Sequence, residues 1–142
     1  MLGVFRRRCR DEKSSADRAG RVSVLVVEDD EALAEAIAST LEEEGVRAMV
    51  APNGLAALEA LRGNLRPCLI LLDIKMPVMD GFEFRREQLR DVSLASIPVV
   101  ICTADGGLAD KARSLGAAAF LRKPLTVVEL LRVVRAHCPD PS

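Results

Sequence analysis

The sequence predicts an α/β fold: one domain of five parallel strands in a doubly wound sheet, in the order 2-1-3-4-5. Three observations carry this. Short apolar runs alternate with helical stretches five times along the 142 residues, and alternating βα units call for a parallel sheet covered by helices on both faces. The run Cys68-Leu-Ile-Leu-Leu-Asp73 has no polar break before its carboxylate, as suits a strand buried on both faces. Right-handed crossovers then leave few topologies.

The elements follow in order. Residues 1–21 lack apolar periodicity and read as a disordered basic tail. Val22–Val27 is the first strand and ends in Glu28-Asp29-Asp30. A helix runs from about Glu31 to Glu44 with Leu33, Ile37 and Leu41 on one stripe and Gly45 as its stop. Val46, Ala48 and Val50 alternate as a short edge strand. Asn53 caps a helix carrying Leu55, Leu58 and Leu61. After the strand ending at Asp73, Pro77 and Asp80-Gly81 close a loop, and a helix spans about Gly81 to Arg90. Ile97–Thr103 is the fourth strand. Gly106-Gly107 breaks the chain, and a short helix spans Leu108 to Leu115. Ala117–Arg122 is the fifth strand, and Lys123-Pro124 forms a fixed turn that suits a cis bond. The last helix, about Thr126 to His137, presents Val127, Leu130, Leu131 and Val134 inward. Residues 22–138 form the domain and 139–142 a C-terminal tail.

Composition narrows the function classes. An apolar fraction of 49% and a charged fraction of 29% describe an ordinary globular protein. No run approaches the roughly 20 apolar residues of a membrane helix, and no secretory signal is evident. Residues 1–21 carry seven basic and three acidic side chains, so a total of −1 leaves residues 22–142 at −5. An acidic body argues against direct nucleic-acid binding. Cys9, Cys68, Cys102 and Cys138 stand at neither metal-ligand nor redox spacing, which predicts free thiols in a reducing cytoplasm.

The chemistry gathers at the strand ends. The first strand delivers Glu28, Asp29 and Asp30, the third Asp73, the fourth Thr103 and the fifth Lys123. In the expected order these ends are neighbours on one rim, where ligands of open α/β sheets bind. Crowded carboxylates repel one another unless a cation occupies them, and hard oxygen donors in an open site favour magnesium. Asp73 could then attack phosphorus as a carboxylate nucleophile. Thr103 and Lys123 would supply a hydrogen bond and a positive charge to the phosphoryl oxygens. Asp30 alone reads as a helix cap, and His137 as a favourable charge at a helix end.

Val24-Leu-Val-Val-Glu-Asp-Asp30, Leu71-Leu-Asp-Ile-Lys-Met-Pro-Val-Met-Asp-Gly81, Pro98-Val-Val-Ile-Cys-Thr-Ala104 and Leu121-Arg-Lys-Pro124 closely resemble the receiver domain of bacterial two-component response regulators, over about residues 22–137. The resemblance implies a flavodoxin-like (βα)5 fold with Asp73 as phosphoacceptor for a sensor histidine kinase or a histidine-phosphotransfer protein. It implies that Glu28 and Asp29 hold Mg2+ (or Mn2+) together with Asp73 and the backbone carbonyl of Lys75. Thr103 matches the switch hydroxyl, Lys123 the lysine, Phe120 the rotating aromatic and Pro124 the turn. A downstream protein target would bind the face made by the fourth helix, fifth strand and last helix. The chain is expected to act as a stand-alone regulator, a monomer or weak dimer, catalysing only its own phosphotransfer and autodephosphorylation.

Two departures from the family pattern stand out. The interval from Thr103 to Lys123 is short, and Gly106-Gly107 loosens the fourth helix. Lys75 also puts a cation where side chains affect dephosphorylation. The competing reading is a phosphorylation-independent interaction module. A haloacid-dehalogenase-type phosphatase would need an Asp where Lys75 stands, and a dinucleotide-binding protein a Gly-rich loop where Glu28-Asp-Asp30 stands.

Overall fold

Three of the strands are apolar without alternation because both of their faces are covered. In the computed structural model, which describes residues 22–138, β1 (Val24–Val27), β3 (Leu69–Asp73) and β4 (Val99–Thr103) are buried at every residue. β2 (Ala48–Ala51) and β5 (Ala119–Arg122) flank them, in the order β2-β1-β3-β4-β5 with every pairing parallel. The helices are α1 (Glu31–Glu43), α2 (Gly54–Arg62), α3 (Gly81–Arg90), α4 (Gly106–Arg113) and α5 (Val127–His137). The tails expected at 1–21 and 139–142 lie outside the described residues.

Side chains alternate across a strand, so the core divides in two. Leu25, Val27, Ile70, Leu72 and Ile101 face one side, where Leu58 and Leu61 of α2 and Phe84 of α3 cover them. Val24, Val26, Leu69, Leu71 and Val100 face the other, under Ile37 and Leu41 of α1 and Leu130 and Val134 of α5. Each large side chain so buried contributes about 1.5–3 kcal/mol. The sheet is therefore the most strongly held part of the molecule.

Local signals set the helix starts. Asp30, Asn53, Asp80 and Thr126 each accept from a backbone N–H in the first turn. Asp80 and Glu83 form a reciprocal capping box.

Four expectations need correction. The helix expected at Leu108–Leu115 runs from Gly106 to Arg113. The Asp105 carboxylate accepts from the Gly107 N–H at 2.9 Å, which lets the glycines open the helix instead of breaking the chain. Val127 does not face inward. It lies in the first turn of α5, just beyond the β5 loop, and is 55% exposed, whereas Leu130 and Val134 are buried. The strands also begin later than expected: Val22, Ile97 and Ala117 stand just ahead of β1, β4 and β5.

The fourth correction concerns cysteine. Cys68 and Cys138 are joined in a disulfide across a sequence separation of 70, with Cα atoms 5.4 Å apart. Cys68 precedes β3 by one residue and Cys138 caps the end of α5. Packing of α5 on the sheet brings them together, which linear spacing does not reveal. Cys102 remains a free, buried thiol.

Candidate functional site

Parallel register assembles the site. Val27 pairs with Leu72, Asp73 with Cys102 and Thr103 with Arg122, so Glu28, Asp73, Thr103 and Lys123 emerge side by side on one rim. Backbone bonds extend the order one residue past the strands: Glu28 N–H donates to Ala51 C=O at 3.0 Å, and Lys123 N–H to Thr103 C=O at 3.1 Å.

The acidic residues take different roles. Glu28 is 4% and Asp73 7% exposed, while Asp29 is exposed. Each of the three offers a carboxylate oxygen, and these atoms lie within 4.8 Å of one another. Asp30 stands apart as the cap of α1, accepting from Leu33 N–H at 3.1 Å, the role its local sequence predicts.

Lys123 is the cation of this group. Its Nζ donates to Glu28 Oε1 at 2.7 Å and lies 3.4 Å from Asp73 Oδ1. The Lys123–Pro124 bond is cis, in keeping with the expected turn. Glu28 Oε2 also accepts from Asp30 N–H at 3.1 Å, and Asp73 Oδ1 from Ile74 N–H at 2.9 Å.

Burial pushes the Glu28 carboxyl above its ordinary range. The Lys123 bond and the Asp30 N–H pull it down, and the Asp73 charge pushes it further up. For Lys123, burial acts to lower the pKa, but the Glu28 bond and the Asp73 and Glu28 charges outweigh it and hold the ammonium high. Lys123 thus pairs with two of the three clustered carboxylates. Hard oxygen donors gathered around an unbalanced negative charge fit a magnesium-type cation, with Glu28, Asp29 and Asp73 as the side chains able to hold it.

The expected switch residues are present but occupied locally. Thr103 is buried and its Oγ1 accepts from Asp105 N–H at 3.1 Å. Phe120 is half-buried, with the Arg113 guanidinium 4.8 Å from its ring centroid. Both line a depression between α4 and β5. Lys75 is exposed and borders an open cleft of about 600 Å³ with Asp29, Met76, Asp80 and Lys111.

Three supporting features escaped sequence reasoning. Val78 adopts φ 71°, and Met79 N–H donates to Pro77 C=O at 2.7 Å across it. A β-branched residue there is strained, and Gly54 N–H pins the loop by donating to Met79 C=O at 3.0 Å. Gly81 lies so close to β3 that a Cβ would stand 2.5 Å from Asp73 C=O. Gln88 is wholly buried; its Nε2 donates to Leu94 and Ile97 C=O at 2.9 and 3.0 Å. Its Oε1 accepts from Arg85, which also donates to Leu115 and Gly116 C=O. The available signal was a glutamine one helical turn from Phe84, on the buried stripe of α3.

The chain matches the family model of the response regulator receiver domain over residues 24–135. Among curated relatives, it is 37% identical over 115 residues to the DNA-binding dual master transcriptional regulator RpaA of Synechocystis, covering 80% of this chain and 47% of that protein. It is 32% identical to the polar-differentiation response regulator DivK of Brucella anthropi, covering 83% of this chain and 97% of DivK. The chain spans about half the length of the first curated relatives it matches. Among solved structures, Vibrio cholerae chemotaxis protein CheY4 aligns with a TM-score of 0.75 at 26% identity, covering 82% of this chain and 98% of that one. The receiver domain of sensor histidine kinase PA1611 from Pseudomonas aeruginosa, solved with magnesium in its active-site cleft, gives a TM-score of 0.75 at 26% identity, covering 81% and 95%.

Proposed function

Because this chain belongs to the response regulator receiver family, we propose that Asp73 accepts a phosphoryl group from a phosphohistidine of a sensor kinase or phosphotransfer protein in the cytoplasm. The observation that carries this reading is the Asp73 carboxylate, nearly buried at the end of β3, within the three-carboxylate set and 3.4 Å from Lys123 Nζ.

An Asp73 oxygen attacks phosphorus, the phosphorus–nitrogen bond to histidine breaks, and the imidazole leaves as the displaced group. Bound Mg2+ (or Mn2+), held by Glu28, Asp29, Asp73 and the Lys75 carbonyl, would screen the negative charge that otherwise keeps a phosphoryl group away. Lys123 exchanges Glu28 for a phosphoryl oxygen. Thr103 gives up its bond from Asp105 and donates to another, and Phe120 turns into the space released. The α4, β5 and α5 face then changes its affinity for a protein partner, or the phosphoryl group passes onward. No turnover beyond this phosphotransfer and its own dephosphorylation is proposed.

Intact mass after incubation with acetyl phosphate, and separately with phosphorylated histidine proteins, tests the reading. A gain of one phosphoryl group is expected with magnesium, none with chelator and none in Asp73→Asn. Labelling that persists in Asp73→Asn would overturn the acceptor assignment. Failure with every donor would favour a phosphorylation-independent interaction module.

A further inference from the structure

We propose that Cys68 and Cys138 form a reversible disulfide latch that fastens the end of α5 to the head of β3. Nothing in the phosphoryl chemistry requires these residues. They sit at the edge of the sheet where the strands begin, opposite the rim that carries Asp73.

Placement supports the latch. The Cα separation of 5.4 Å lies within the range of about 4.4–6.8 Å that a disulfide spans without backbone movement. Other ties at this end of α5 are weak. The helix buries Leu130 and Val134, and beyond them Arg135 pairs with Glu44 at 3.1 Å between two exposed side chains, a type of pair that contributes little. Beyond Val134, the disulfide is therefore the main tie of the helix end to the sheet.

Access supports reversibility. Cys68 and Cys138 are both only partly buried, so small thiols can reach them, and accessible disulfides are the exchangeable ones. Cys102 is buried within β4, which confines the exchange to the outer pair among the described cysteines.

The step balances with a low-molecular-weight disulfide such as glutathione disulfide as oxidant. One protein thiolate attacks it, forming a mixed disulfide and releasing one glutathione thiolate. The second protein thiolate attacks the mixed disulfide, closes Cys68–Cys138 and releases the other. The protein pair loses two electrons and the small disulfide gains them; the protons of the two cysteines end on the two released thiols. A dithiol reductant reverses the step.

The test uses the full chain carrying Cys9→Ser, equilibrated across glutathione to glutathione-disulfide ratios, trapped by alkylation and mapped by mass. Cys68 and Cys138 should lose and regain labels together in one two-electron transition, with Cys102 unlabelled in the folded protein. The oxidised form should melt roughly 10 °C above the reduced form, because a cross-link over a long loop restricts the unfolded chain. Amide exchange at residues 131–138 should quicken on reduction. Cys138→Ser should abolish all three effects, whereas Asp73→Asn should leave them intact, which separates this inference from the phosphoacceptor reading. Independent labelling of the two cysteines, separate glutathione adducts at every ratio, or identical melting of the two forms would overturn it.

Discussion

Glu28 carries a conflict that the neighbouring residues only partly relieve. Its carboxyl is buried, its pKa is raised, and it faces Asp73 and Asp29 as well as Lys123. Without metal, the folded protein holds the Glu28 proton to a higher pH than the unfolded chain does. The unfolded value is near 4.5, so stability is gained as pH falls through the interval above 4.5 and lost as pH rises through the folded value. Glu28→Gln retains an oxygen for Lys123 but has nothing to ionise. In chelator at pH 7 it should melt above the parent protein, and the gap should close as pH approaches 4.5. Magnesium should stabilise the parent and leave the variant nearly unmoved. Melting curves from pH 4.5 to 7, with and without magnesium, read both effects; a gap that widens toward acid would sink the argument. Glu28, Asp73 and Thr103 were legible in the sequence as strand ends because each follows an apolar run directly, with Asp29 and Lys123 one residue further on. The Lys123–Glu28 bond was not, since a sequence separation of 95 hides which carboxylate the lysine prefers.

At the scale of elements, α3 does more than cover the sheet. Gln88 holds the Leu94 and Ile97 carbonyls of the loop entering β4, and Arg85 holds Leu115 and Gly116 ahead of β5. One helix thus sets the approach of two strands that deliver Thr103 and Lys123. Gln88→Ala would leave the Ile97 carbonyl and part of the Arg85 guanidinium without their partner, and would take from the Leu94 carbonyl one of two donors, the Ile97 N–H remaining. Buried groups left so cost about 1–3 kcal/mol each, reduced here by whatever water enters the cavity. A loss of about 2–4 kcal/mol by urea unfolding is expected, against less than about 0.5 kcal/mol for Arg86→Ala at an exposed position of the same helix; parity between the two would refute the network. The caps Asp30 and Asn53 were readable because their chemistry is local, whereas Asp80 was read as a loop residue and Thr126 as the start of the last helix, and both are caps as well. Gly106 was misread because glycine signals both a break and a tolerant helix start, and Asp105 decided between them only in three dimensions.

For the whole molecule, the five-fold βα pattern with right-handed crossovers was enough to give the strand order, and alternation marked β2 as an edge but not β5, whose run Ala117–Leu121 is unbroken. What it could not give was the gradient of stability across the sheet. β1, β3 and β4 are buried at every residue and each lies between two other strands. β2 and β5 are edges with exposed or half-buried residues. α4 spans only eight residues and begins with two glycines, each costing about 1 kcal/mol relative to alanine in a helix. Local opening should therefore start at α4 and the β5 edge, next to Thr103 and Phe120, while the strand bearing Asp73 opens only with the global transition. Native-state hydrogen exchange at fixed redox state should find the slowest amides at Leu25, Ile70, Leu72 and Ile101, and the fastest helical amides in α4. Equal protection of α4 and β3 would refute this gradient. On the proposed phosphoacceptor reading, a rigid Asp73 stands beside the loosely held α4 and β5 edge, so that turning Thr103 and Phe120 toward a new charge at Asp73 would meet little packing to overcome.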